Sequence, residues 1–118
     1  MFNFEKLDVW QKAIDFADLV YSATRKFPTE ERFGLTNQMR RAAVSISSNI
    51  AEGCSRNSKV DFGRFIEIAT GSVFEVVSQA FIGRRQEFLD EPGFKTLYQA
   101  AEEQSKMLSG LRKSLLSK

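Results

Sequence analysis

The stretch "RRAAVSISSNIAEG", residues 40–53, carries no charge between Ala42 and Ala51. Met39, just before it, recurs with Ala43, Ile46 and Ile50 at spacings of three and four, the repeat of a helix with one packed stripe. Gly53 suits the position just past a helix end, so the segment predicts a helix from Leu35 or Thr36 to that glycine. With the stripe turned to a core, Arg41, Val44, Ser45, Ser48, Ala51 and Glu52 point away from it. A surface helix carries lysines and glutamates there; this one is small and uncharged through its middle. A helix uncharged on all sides is ordinarily buried on all sides.

Working outward, three more amphipathic segments follow the same rule. Residues from about Asn3, an N-cap type, to about Lys26 hold Leu7, Trp10, Ile14, Ala17, Tyr21 and Thr24 in one stripe. Pro28 disfavours helix at Phe27, making "FPTEERFG" a connector that can hold a helical turn. "CSRNS" is the next connector. Ser58 with Asp61 three residues on resembles a capping box and opens a helix from Lys59 to about Leu89. Phe62, Phe65, Ile66, Ala69, Val73, Val76, Val77 and Ala80 make its apolar side. Gly71 and Gly83 each cost about 1 kcal/mol against alanine there, which a kink or close packing explains. "DEPG" breaks the chain again, and Pro92 fits a first helical turn. Phe94, Leu97, Ala101, Gln104, Leu108, Leu111 and Leu115 then form a nearly heptad seam.

Four such helices with short loops predict one all-α domain over residues 1–118, an antiparallel up-down-up-down four-helix bundle. Gly71–Ser72 should lie level with Ser109–Gly110, where small residues let two backbones approach. One end should gather Lys6, Arg56, Lys59, Arg64, Arg112, Lys113 and Lys118 against Glu5, Asp8, Glu52 and Asp61, a modestly basic pole. A lone four-helix domain cannot wrap two helices completely. The outward residues of the second helix, with Ser72 and Glu75 of the similarly uncharged third, are therefore candidates for a contact between subunits. The plainer alternative is that Ser45 and Ser48 are surface residues bonded back to their own helix. Glu52 is either a structural partner of Arg56, Lys59 or the third helix's start, or a ligand-binding carboxylate. Glu75 is expected to pair with Arg41 or to bond Ser72.

The composition sets limits. At 118 residues, 42% hydrophobic with eleven Phe, the chain can fill a core. The single Cys54 leaves no internal disulfide, no signal peptide opens the chain, and no uninterrupted apolar run approaches the ~20 residues of a membrane span. These features predict a soluble, cytoplasmic protein of bacterial style. The net charge of +2 announces no nucleic-acid binder, but it is segregated: net −2 over residues 1–24, +4 over 25–64 and −4 over 65–103, then a basic tail.

The absence of His removes di-iron Glu-x-x-His sites, ordinary zinc sites and imidazole acid–base work. Cys54 lacks the imidazole partner of a thiol nucleophile. "GLTNQMRR" and "GSVFEVV" lack the spacing of a phosphate loop. A metal site would have to come from Glu52, Glu75, Glu102 or Glu103 alone, so no metal, cofactor or catalytic residue is expected. Trp10 and the Phe stripe read as core. Arg40–Arg41 and Arg84–Arg85 read as salt-bridged surface pairs sooner than phosphate clamps.

"LDVWQKA" (7–13), "FPTEERFGLTNQMRRAAVSISSNIAEG" (27–53) and "FGRFIEIATGSVFEV" (62–76) resemble the four-helix-bundle proteins encoded within 23S rRNA intervening sequences. The resemblance spans nearly the whole chain. Ser47 stands where many relatives have Pro, which should straighten the second helix. The accessory variability determinant proteins of diversity-generating retroelements look like the same bundle serving a reverse transcriptase. The resemblance implies a non-enzymatic homo-oligomeric ring of five bundles, with structured RNA or a nucleic-acid enzyme as expected partner. Two functions follow: an RNA-associated binding or scaffold module touching nucleic acid at the basic pole, or a hub docking another protein without nucleic-acid contact.

Overall fold

A computed structural model describes residues 1–117; Lys118, counted above in the basic pole, lies outside them. It holds four helices, α1 (Asp8–Thr24), α2 (Leu35–Cys54), α3 (Lys59–Arg85) and α4 (Glu91–Leu116), with 3-10 turns at Asn3–Lys6 and Thr29–Glu31 and no strand among the described residues. The fold is all-α.

Local chemistry sets most boundaries. The Ser58 hydroxyl accepts from the Asp61 amide at 3.1 Å, capping α3 as its sequence predicts. Asp90 does the same for α4, accepting from Gly93 N at 2.7 Å, with Pro92 in the first turn. The expected start of α1 at Asn3 is corrected: the chain makes a 3-10 turn, is extended at Leu7, and only then turns α-helical. Asn3 instead donates its amide to the Cys54 carbonyl at 3.0 Å, satisfying an open acceptor at the end of α2. The end of α3 is corrected too, from Leu89 to Arg85. Glu87 adopts φ 64°, and the Phe88 and Leu89 amides both fold back onto the Gly83 carbonyl. That reversal sends Leu89 into the core and sets the Phe88 ring against Phe27, centres 5.6 Å apart and planes tilted by 51°.

Each helix packs on its chain neighbour, α1 closes against α4, and the pairs α1/α3 and α2/α4 stand across the diagonals. The Asn3–Cys54 bond is at one end of the α1/α2 seam. At the other, Arg40 stacks on Tyr21 at 4.5 Å and donates Nε–H to the Thr24 hydroxyl at 2.8 Å. Along α2/α3, Leu35 approaches Gly83, Ser45 meets Ser72, and Gly53 meets Phe62 and Phe65. Across α3/α4, Phe81 meets Phe94 and Tyr98 while Glu67 meets Arg112. The buried Gln104 amide donates to the Val9 carbonyl at 3.1 Å across α1/α4, and Lys12 pairs with Glu103 beside it.

The core places Met39, Ala43, Ile46 and Ile50 of α2 where their spacing predicts, all fully buried. Each large aliphatic side chain so buried contributes about 1.5–3 kcal/mol. In α1 the buried stripe is Val9, Ala13, Phe16, Val20 and Thr24, and Ile14 is 37% exposed. The expected Leu7–Trp10–Ile14–Ala17–Tyr21 stripe is the next arc round the same helix, half-covered beside α2. Both arcs have helical spacing, and packing selects the one that carries Phe16.

The glycines divide differently from expectation. Gly71 and Gly110 face open space, so no close approach occurs there. Gly53 lies inside α2 without positive φ and is not a C′ residue; a Cβ on it would sit 2.8 Å from Phe62. No uninterrupted apolar run of membrane-spanning length occurs, as expected. By length and composition alone α3 could cross a membrane, because Glu67 and Glu75 are its only charges between Arg64 and Arg84; only a third of that stretch is buried.

Candidate assembly and nucleic-acid interfaces

Helix periodicity turns Arg41, Val44, Ser48 and Glu52 to the outside of α2, and all four are exposed, with Ala51 half-buried at their edge. Ser45 is drawn inward. Its hydroxyl accepts from Ser72 of α3 at 2.9 Å and from the Asn49 amide one turn on in α2 at 3.0 Å, so it bridges the two helices as well as bonding within its own. Ser72 itself is only 5% exposed and belongs to the α2/α3 seam within the protomer. Its second bond goes to the Ile68 carbonyl and none goes to Glu75. Glu75 makes no ion pair with Arg41 either; the two carry their charges to the rim of one shallow depression between α2 and α3, with Ser45 and Gln79. The Gln79 carbonyl oxygen is buried there without a hydrogen-bond partner, an arrangement that costs about 1–3 kcal/mol until a donor reaches it.

At the pole, intramolecular pairing has consumed much of the positive charge. Arg56 pairs with Glu52 at 3.5 Å and lies over the Phe65 ring at 4.7 Å. Glu52 is thereby a structural partner, one of the two roles open to it. Arg64 pairs with Asp61 at 3.5 Å, and Arg112 reaches Glu67 through both Nε and Nη2. Lys6, Lys59 and Lys113 have no carboxylate within 4.0 Å among the described residues. All three are exposed, at the start of the chain, the first residue of α3 and the last turn of α4. Of the paired arginines expected at the surface, Arg84 pairs with Glu91 at 3.5 Å, whereas Arg40 is spent on Tyr21 and Thr24.

The four glutamates that could have made a metal site are dispersed. Glu52 is at the pole, Glu75 on the α2/α3 depression, Glu102 beside α3 and Glu103 on Lys12. Cys54 is half-buried, and desolvation pushes its thiol pKa up, away from nucleophile chemistry.

The most apolar concavity lies elsewhere, between α3 and α4. It is an open groove of about 600 Å³ lined by Phe74, Val77, Phe81, Tyr98 and Ala101, with Glu102 and Lys106 at its edge. Phe74 is 65% and Phe81 50% exposed, and Ile68 and Ile82 stand in solvent on another side of α3. A profile of the 23S rRNA-intervening sequence proteins matches residues 5–110. The chain belongs to that family. Its fold resembles that of a protein of unknown function from the S23 ribosomal protein family of Bacteroides thetaiotaomicron VPI-5482, at a TM-score of 0.79 and 23% identity, over 89% of this chain and 98% of that one. At that identity the likeness shows the fold alone. None of the curated proteins matches the chain.

For this family member, sequence spacing located the uncharged side of α2 but missed Phe74, Phe81, Ile68, Ile82 and Tyr98. The signal was present: in "SVFEVVSQAFIG" the phenylalanines sit one residue after core positions Val73 and Ala80, about 100° round the helix from each.

Proposed function

We propose that the chain is a non-enzymatic, homo-oligomeric four-helix-bundle protein, one domain running up, down, up and down, that serves as an RNA-associated scaffold in the cytoplasm. The observation that carries this is the set of large apolar side chains left in solvent on α3: Ile68, Phe74, Phe81 and Ile82. Phe74 and Phe81 share one side of α3 with Tyr98 of α4; monomers seldom leave large apolar groups gathered in that way uncovered, and further copies of the chain would bury them. The antiparallel order is supported by the seam contacts, which join the start of each helix to the end of the one before. Five copies in a closed ring is what the family resemblance implies.

The RNA role draws on the family's description and on Lys6, Lys59 and Lys113 at one pole. A ring repeats those lysines once per subunit, so their combined field acts where one protomer's would be too weak. Light scattering on the protein eluting from a size-exclusion column should give a mass several times 13.4 kDa at micromolar concentration; a clean monomer sinks the assembly. Binding to a structured RNA should be measurable at low salt and fall steeply as salt rises. No binding at low salt to either structured RNA or duplex DNA sinks the RNA role.

One observation favours a second reading, a hub or accessory subunit that docks a protein such as a reverse transcriptase. Arg56, Arg64 and Arg112 are already neutralised within the protomer. Co-purification of a protein partner that survives nuclease, with no RNA retained, would select it.

A further inference from the structure

We propose that Arg40 and Arg41 form a binding site for a phosphate monoester in the depression between α1 and α2. The site goes beyond the RNA reading above, because Arg40 stands about 20 Å along α2 from Cys54 at the lysine pole. Asn37, Arg40, Arg41, Val44 and Ser45 follow the three-and-four spacing of one face of α2. With Tyr21 of α1 they line an open depression of about 480 Å³.

Arg40 is held ready at its inner wall. The guanidinium lies 4.5 Å from the Tyr21 ring centre, and its Nε–H donates to the Thr24 hydroxyl at 2.8 Å. Thr24, itself buried, donates onward to the Val20 carbonyl at 2.7 Å. One ring contact and one bond thus fix a half-buried guanidinium, whose terminal nitrogens find no protein acceptor among the described residues. Neither Arg40 nor Arg41 has a carboxylate within 4.0 Å among those residues. Asp18, one turn before Tyr21, and Glu75, on the α3 side of Arg41, are therefore not their counter-ions. The arginine pair expected to be salt-bridged is not.

A cation that has lost part of its hydration gains most from an anion that bonds to it directly. The lining selects which anion. It holds two guanidiniums and no carboxylate, and the Asn37 amide and the Tyr21 and Ser45 hydroxyls can each donate a hydrogen bond. Two positive charges among donors suit a compact dianion with several acceptor oxygens. A phosphate monoester carries about −1.5 to −2 at pH 7 on three such oxygens. A carboxylate brings one charge and two oxygens, and leaves one arginine unmatched. The depression is open, so the phosphate can belong to a small molecule or to the end of an RNA strand; the chemistry at the arginines is the same.

Nuclear magnetic resonance of the isotope-labelled protein tests this, with inorganic phosphate and adenosine 5′-monophosphate as probes at constant ionic strength. The Arg40 Nε–H and Asn37 amide signals should shift saturably with each probe. Arg41→Gln, at an exposed residue without an ion pair, should weaken both at least about tenfold. Arg85→Gln, which removes an exposed arginine of α3 outside the depression, should not. Arg40→Lys keeps the charge but not the planar fork and should also weaken them; if it loosens the α1/α2 seam by circular dichroism, Arg41→Gln carries the test alone. No saturable shift, or equal weakening by Arg41→Gln and Arg85→Gln, overturns the site. A hexaglutamate peptide that binds as tightly as the phosphate probes overturns it in favour of an acidic protein partner. A lower oligomeric mass for Arg41→Gln overturns it in favour of a subunit contact. A short RNA whose 5′-phosphorylated form displaces the monophosphate, while its 5′-hydroxyl form does not, supports the site as one for an RNA end. Displacement by neither form supports a small phosphate ester. Absence of RNA binding at the pole removes the RNA role and leaves this site standing, because the free phosphate probes report on it separately.

Discussion

Replacing Gly53 by alanine sets two effects of known sign against each other. Within a helix, alanine is favoured over glycine by about 0.8–1 kcal/mol. At Gly53 the new methyl would lie 2.8 Å from Phe62 Cδ1 and 2.9 Å from Phe65 Cβ. The Phe62 ring can swing, but Phe65 Cβ moves only with the α3 backbone, so α2 and α3 must part by several tenths of an ångström. Overpacking of that kind costs about 1–3 kcal/mol. The net is a loss of about 1 kcal/mol, or a Tm lower by about 3–6 °C in a domain of this size. Gly71→Ala keeps only the first effect, because nothing lies within 4 Å of its Cβ position. It should gain about 0.5–1 kcal/mol, and Gly110→Ala, equally open, should not lose stability. Thermal and urea melts at one protein concentration, followed by circular dichroism, measure all three. A Gly53→Ala protein as stable as Gly71→Ala would refute close packing as the reason for that glycine.

Further outcomes are expected. Gln104→Ala should cost about 2–4 kcal/mol in urea melts, because it removes a buried side chain and its bond to Val9 O; Gln104→Met, which keeps the volume, should recover most of that. Burial holds the Cys54 thiol pKa above its unfolded value, so its stabilising contribution is complete below the unfolded value and fades as pH rises through the folded one. Cys54→Ala should therefore flatten part of the alkaline loss of stability, and iodoacetamide should label the native thiol more slowly than the urea-unfolded one. Glu67→Gln and Asp61→Asn release Arg112 and Arg64 from their pairs. If the pole meets RNA, each should tighten binding and steepen the salt dependence by about 0.7 per freed cation, at under about 1 kcal/mol of stability.

What could be read from the chain depended on whether one arc or several competed. In α2 a single apolar arc exists, and Met39, Ala43, Ile46 and Ile50 are buried where spacing puts them. In α1 two arcs share the spacing, and only the room that the bundle makes for Phe16 decides between them. Gly53 illustrates the same limit: a glycine at a helix end and one beneath two aromatic rings look alike until Phe62 and Phe65 are placed. Glu87 gave no warning of its left-handed backbone, which the fold-back onto Gly83 imposes. The surface groups were harder still. Outward serines stand out against an expected charge, whereas Phe74 and Phe81 sit among core residues and look like more of the same.

The cyclic order of the helices also implies an order in time. Three seams join helices adjacent along the chain, which meet over short loops at little entropic cost. The fourth brings together groups as distant as Val9 and Gln104, separated by 95 positions. Loop closure makes such a contact profitable only after the nearer pairs have formed. The α1/α4 seam is then the last to zip and the first to open. Damage at Gln104 should hasten unfolding far more than it slows folding. The working lifetime of the bundle is governed by the seam where its two ends meet.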